Sequence, residues 1–186
     1  MWSSRDVAFV IFLALVSFLY SAFVGQLGML VTGILGFNYL FFWGHAILIG
    51  FGLLVYEGRR WRFFSQSFLV ALLTLPTFQS GTPFDIFARI PMIVNAFLID
   101  VLFNTFYSYF RAKNRLAWWL ALTNIVWMLI IPIIFIINMT LFYPTQALTN
   151  WLTVFLLLLP LTLMEMVVGA YISYKWYKRL KKDDIL

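Results

Sequence analysis

The chain has 186 residues, of which 63% are hydrophobic, 20% aromatic and only 11% charged, and its net charge is +6. So few polar side chains cannot coat a water-soluble globule, so lipid must solvate one compact membrane domain of this length. The absence of cysteine and the single histidine exclude disulfides and thiol catalysis and leave no metal site of the cysteine- or histidine-rich kind.

A helix crosses a hydrocarbon core of roughly 30 Å with about 20 residues. The uncharged run from Val7 to Tyr56 holds two crossings and a connection, which predicts helices near 7–25 and 38–56. Between them, Gln26–Phe37 carries Gly28, Gly33 and Gly36 and reads as an external loop that folds back on the domain. A short third segment is expected near 63–77, stopped by Pro76, and then an external loop, Phe78–Ile90, with Gly81, Pro83, Asp85 and Arg89. The fourth helix, near 91–110, has Pro91 suitably in its first turn. The run Leu116 to Met164 holds the last two, near 116–141 and 150–174, parted by the turn Phe142-Tyr143-Pro144-Thr145.

Twelve of the thirteen lysines and arginines form four clusters: Arg5; Arg59, Arg60 and Arg62; Arg111, Lys113 and Arg115; and the tail Lys175, Lys178, Arg179, Lys181 and Lys182. Basic residues are retained on the cytoplasmic side, so six spans with both termini cytoplasmic would put only Arg89 outside. The expected class is therefore all-α, a six-helix multi-pass bundle of the cell membrane. A cleaved leader is the competing reading of the first segment, whose apolar run is long for one. The basic residues lie in short loops and a tail that fix orientation, and so do not suggest a nucleic-acid partner.

Polar side chains inside apolar spans are costly and need a reason. On the expected topology His45, Asn95 and Asn138 fall in the outer half, Asp100 near the middle and Glu165 at or just below it. Together with Asp85 and Arg89 at its mouth, the outer set would line a solute pocket with apolar and aromatic walls. The plainer readings are amide bonds between helices, an Asp85–Arg89 pair, and Asp100 and Glu165 bonding each other or backbone groups. Trp127, inside the fifth helix, suits either packing or stacking on a ligand. In the first helix Ser17, Ser21 and Gly25 recur every four residues, with Ala14 and Ala22 close by, a small-residue face for another subunit or for internal packing.

No phosphate-binding glycine loop, nucleophile elbow or paired carboxylates mark an enzyme, and no cofactor is expected. No repeat of the kind found in ion-coupled carriers is visible, so uphill movement of a solute would need energy from another subunit.

The small-residue face Ser17-Phe-Leu-Tyr-Ser21 with Ala14 and Ala22, the segment Gly81-Thr-Pro-Phe-Asp-Ile-Phe-Ala-Arg-Ile-Pro91, and the last helix with Glu165, Gly169 and Lys175 resemble the substrate-binding S component of an energy-coupling factor transporter. The family typically has alanines spaced by four on its first helix, where this chain has serines. The resemblance implies capture of a vitamin or similar micronutrient in an outward-facing pocket. It also implies docking on a transmembrane coupling subunit driven by two cytoplasmic ATPases. A membrane assembly or scaffold protein is the alternative, and a small lipid-active enzyme using Asp100 and Glu165 is a third reading.

Overall fold

Inside a bilayer every backbone N–H and C=O needs a partner within the protein, which favours helix for these apolar runs. The computed structural model describes residues 2–25, 27–33, 37–77, 82–142 and 145–183 and has no strand among them. Helix α1, Ser4–Tyr20, opens with a reciprocal cap: Ser3 Oγ accepts from the Asp6 N–H, and Asp6 Oδ2 from the Ser3 N–H, both at 3.1 Å. It continues into a π turn, Ser21–Gly25, and a short helix α2, Leu27–Thr32. A 3-10 turn, Phe37–Phe41, leads to α3, Trp43–Val55, and a tight turn joins that to α4, Arg62–Thr74. A second 3-10 turn, Phe87–Arg89, leads to α5, Ile90–Ala112, followed by α6, Leu116–Phe142, and α7, Thr145–Lys182.

All six expected segments are helical, but they are not equivalent. Among the described residues four stretches are long and apolar enough to cross a membrane: Ser4–Val24, Phe87–Ala112, Leu116–Phe142 and Trp151–Lys182. Helices α3 and α4 have 13 residues each, about 20 Å of rise, and fall short of a roughly 30 Å core. The last helix runs on to Lys182, beyond the expected end at Tyr174, because nothing in Lys175–Lys182 breaks a helix. Gln26, Gly36, Gly81 and the turn residues Tyr143 and Pro144 lie outside the described residues.

The helices close a ring: α1 packs on α4, α4 on α5, α5 on α6, α6 on α7, α7 on α3, and α3 back on α1. The seam between α3 and α7 is built from small residues. A Cβ on Gly169 would sit 2.6 Å from Ala46 Cβ, and one on Gly50 would sit 2.9 Å from Ser173 Oγ, so both glycines are needed for this approach. Ser173 Oγ donates across the seam to the Ile47 carbonyl at 2.8 Å.

At one end of the ring three basic clusters meet. Asp6 binds Arg59 at 2.6 Å and Arg62 at 3.3 Å, tying α1 to the α3–α4 turn. Glu57, in that turn, accepts from Lys181 Nζ and Tyr177 OH, each at 2.6 Å, and so anchors the end of α7. Burial raises the Glu57 carboxyl, but the bonds from Lys181 and Tyr177 and the nearby Arg111 charge outweigh it and hold the group below its ordinary value.

Candidate functional site

The first turns of α3 and α4 shape the interior. A helix start carries unpaired N–H groups and partial positive charge, and an uncapped start inside apolar surroundings is expensive. Neither short helix caps itself: Phe42 and Trp61, at the cap positions, offer no side-chain acceptor. Trp61 moreover has φ +72°, a left-handed conformation that a bulky residue keeps only when held.

For α4 the acceptor is Asp100 of α5. Its carboxylate takes the N–H of Trp61 at 3.0 Å, the N–H of Phe64 at 2.9 Å and Asn104 Nδ2 at 2.7 Å, and the residue is fully buried. Asp100, in the middle of α5 as its position in the sequence suggests, thus lies beside the first turn of α4, close to the Arg62 that pairs with Asp6. At the other end of α4, the buried guanidinium of Arg89 donates to the carbonyls of Thr74, Thr77, Thr82 and Asp85 at 2.8–3.0 Å. An anion at the start and a cation at the end both suit the helix dipole.

For α3 the acceptor is Glu165 of α7, which takes the N–H groups of Phe42 and Trp43. Tyr20 of α1 completes the cap: its hydroxyl accepts from the Gly44 N–H at 3.2 Å and donates to the Phe41 carbonyl at 2.6 Å. Its ring leaves no room for a Cβ on Gly44. Asp100 and Glu165 therefore cap different helices at opposite ends of the α3–α4 hairpin and do not share a proton or converge on one cleft.

The five expected pocket residues fall into two groups. His45 stacks on Phe42 at 5.0 Å between ring centres and meets Tyr20 edge-on at 4.9 Å. Phe42 touches Trp127 at 5.5 Å, and the Trp127 carbonyl accepts from Asn95 Nδ2 at 3.1 Å. His45 and Asn95 thus belong to one layer around the start of α3. Asn124 joins the same neighbourhood by donating to the Ala46 and Met166 carbonyls at 3.2 and 3.3 Å. Asp85, Arg89 and Asn138 form the second group, around the turn before α5. Asp85 Oδ1 accepts from the Ala88 N–H at 3.2 Å, and Asn138 Nδ2 donates to the Phe87 carbonyl at 3.0 Å.

The layer near α3 has spare hydrogen-bonding capacity. His45 Nδ1, Asn95 Oδ1, Asn124 Oδ1 and Glu165 Oε2 are shielded and have no protein partner. The asparagine amides spend their donors on backbone carbonyls, which leaves acceptors open. Sequence reasoning missed Tyr20; a lone tyrosine in an apolar run gives no signal of the backbone group that it meets. Trp127 lies at this layer as a buried packing ring.

Neither of the two most developed cavities among the described residues is lined by the five. One is a polar cleft of about 470 Å³ at the basic end, and the other is an apolar groove along α6 and α7 at Ile125, Leu163 and Val167. The small-residue face of α1 is divided. Ala14 and Ser17 are buried in the chain's own core, while Ser21 and Ala22 are half-buried in the π turn. Its first half therefore serves internal packing.

No protein-family model, curated protein or solved structure matches the chain.

Proposed function

We propose that the chain is the solute-capture subunit of an energy-coupling factor type uptake system. It takes a vitamin-like solute from outside and docks on a coupling subunit served by cytoplasmic ATPases. In this reading the bundle crosses the membrane six times and has both termini in the cytoplasm, with α3 and α4 as its two short crossings. The meeting of three basic clusters at one end of the ring supports that orientation. The observation that carries the function is the layer of shielded, partnerless polar atoms on His45, Asn95, Asn124 and Glu165 near the rings of Tyr20, Phe42 and Trp127. Apolar walls with a few oriented polar groups are what a small-molecule site requires. The Ser21–Ala22 part of the small-residue face remains for the coupling subunit.

Native mass spectrometry of the protein from its own host, in mild detergent and without added ligand, tests this directly. A small molecule retained one-to-one, and lost from a His45→Ala/Asn95→Ala double variant that still folds, is the expected result. A protein that carries nothing, even after exposure to a panel of vitamins, would favour the membrane scaffold reading. A specific observation already supports that second reading: the five expected pocket residues are packed in two separate groups.

A further inference from the structure

The cleft at the basic end has no role in solute capture, and its chemistry is specific. It is lined by Ser3, Arg5, Glu57, Arg59 and Lys181, which come from the start of α1, the α3–α4 turn and the end of α7. The acids there are already neutralised: Asp6 by Arg59 and Arg62, and Glu57 by Lys181. Four cations, Arg5, Arg59, Arg62 and Lys181, against these two carboxylates leave a surplus of two positive charges. Arg5 is exposed, and its guanidinium lies 5.7 Å from the centre of the Phe9 ring.

We infer that this cleft binds a phosphate-bearing group, presented by an anionic membrane lipid. Guanidinium groups match phosphate oxygens in pairs, and a surplus of two charges suits a phosphate mono- or diester. The 470 Å³ volume is far more than a bare phosphate fills and leaves space for the rest of a headgroup. The flanking side chains point to the lipid as the source: Trp2, Trp61 and Trp176 are 44%, 46% and 53% exposed near this end, and exposed tryptophans settle at headgroup level. A headgroup seated there would bridge three chain segments that Asp6, with Arg59 and Arg62, and Glu57, with Lys181 and Tyr177, already join.

The test uses the full chain in detergent, titrated with short-chain phosphatidylglycerol, short-chain phosphatidylcholine and inorganic phosphate, and read by native mass spectrometry and melting temperature. One phosphatidylglycerol is expected to bind in preference to phosphatidylcholine. Arg5→Gln should weaken that binding by about fivefold, the worth of one basic residue near an anionic surface. Lys113→Gln removes a charge in the α5–α6 turn, outside the cleft lining, and should leave binding unchanged. Equal losses from the two variants would mean diffuse attraction and overturn the site, as would equal binding of both lipids. Displacement of the lipid by millimolar phosphate would uphold the phosphate chemistry and assign the cleft to a soluble phosphate compound, overturning the lipid source.

Discussion

Helices α3 and α4 have the same length and the same difficulty, and the protein treats them differently. Each has 13 residues and a first turn without a cap of its own. The carboxylate serving α4 is used up by three donors, and the far end of that helix is closed by Arg89. The carboxylate serving α3 keeps Oε2 partnerless, and Asn124, bonded to the carbonyls of Ala46 and Met166, keeps a shielded partnerless oxygen close to it. One short helix is sealed at both ends and the other starts in a layer with unspent polarity. Saturated caps build a scaffold, and an unsaturated one leaves chemistry available to a ligand.

That contrast predicts an order of mutational effects. Asp100→Ala should be the most damaging, since it strands two buried N–H groups of α4, at a cost of about 3 kcal/mol. Equilibrium unfolding in mixed micelles would measure it, and Asp100→Asn, which keeps one acceptor oxygen, should recover part of the loss. An unchanged midpoint for Asp100→Ala would mean that α4 does not depend on this cap. Arg89→Met should cost about 2 kcal/mol and speed hydrogen exchange in the last turn of α4, because four carbonyls lose the guanidinium, although those of Thr74 and Thr82 keep another donor. If exchange quickens instead along the whole of α4, Arg89 holds more than the helix end. Glu165→Gln should cost only about 1 kcal/mol, as its amide oxygen still accepts at the start of α3. Its larger effect should be on retained solute; a stability loss as great as that of Asp100→Ala would erase the distinction between the two caps.

The smallest effect concerns Glu57. Its carboxyl is held below the ordinary value of 4.5, so its stabilising contribution is present above that pH and is lost as pH falls through the lower folded value. The pair with Lys181 is partly exposed, so the change should be a few tenths of a kcal/mol. Melting curves between pH 6 and 3 should differ by this increment between the parent and Glu57→Gln. A larger difference would make the tail of α7 a main support of the bundle.

Much of the architecture was legible in the amino-acid pattern. Six apolar segments and their turns follow from hydropathy, because helix is the economical state of such runs. The shortness of α3 was not legible, since the run Val7–Tyr56 is uniformly apolar and hydropathy does not record where a helix starts. A backbone role for Asp100 and Glu165 was one of the readings that the sequence left open, but their partners depend on which helices become neighbours. Of the residues proposed from their type, His45 and Asn95 lie together near the start of α3, whereas Asn138, Asp85 and Arg89 bond groups around the turn before α5. Depth counted along a straight helix placed Asp100 at the middle of α5, but gave no sign that α4 begins beside it.

The trans caps also order the protein's biogenesis. During synthesis α3 and α4 leave the ribosome before the groups that close their first turns: Asp100 follows Trp61 by 39 residues, and Glu165 comes only with the last helix. A nascent chain that ends before α7 has Tyr20 to meet Gly44 but nothing to meet the Phe42 and Trp43 N–H groups. Helix α3 is consequently closed last although it is made early, whereas α4 is closed as soon as α5 arrives.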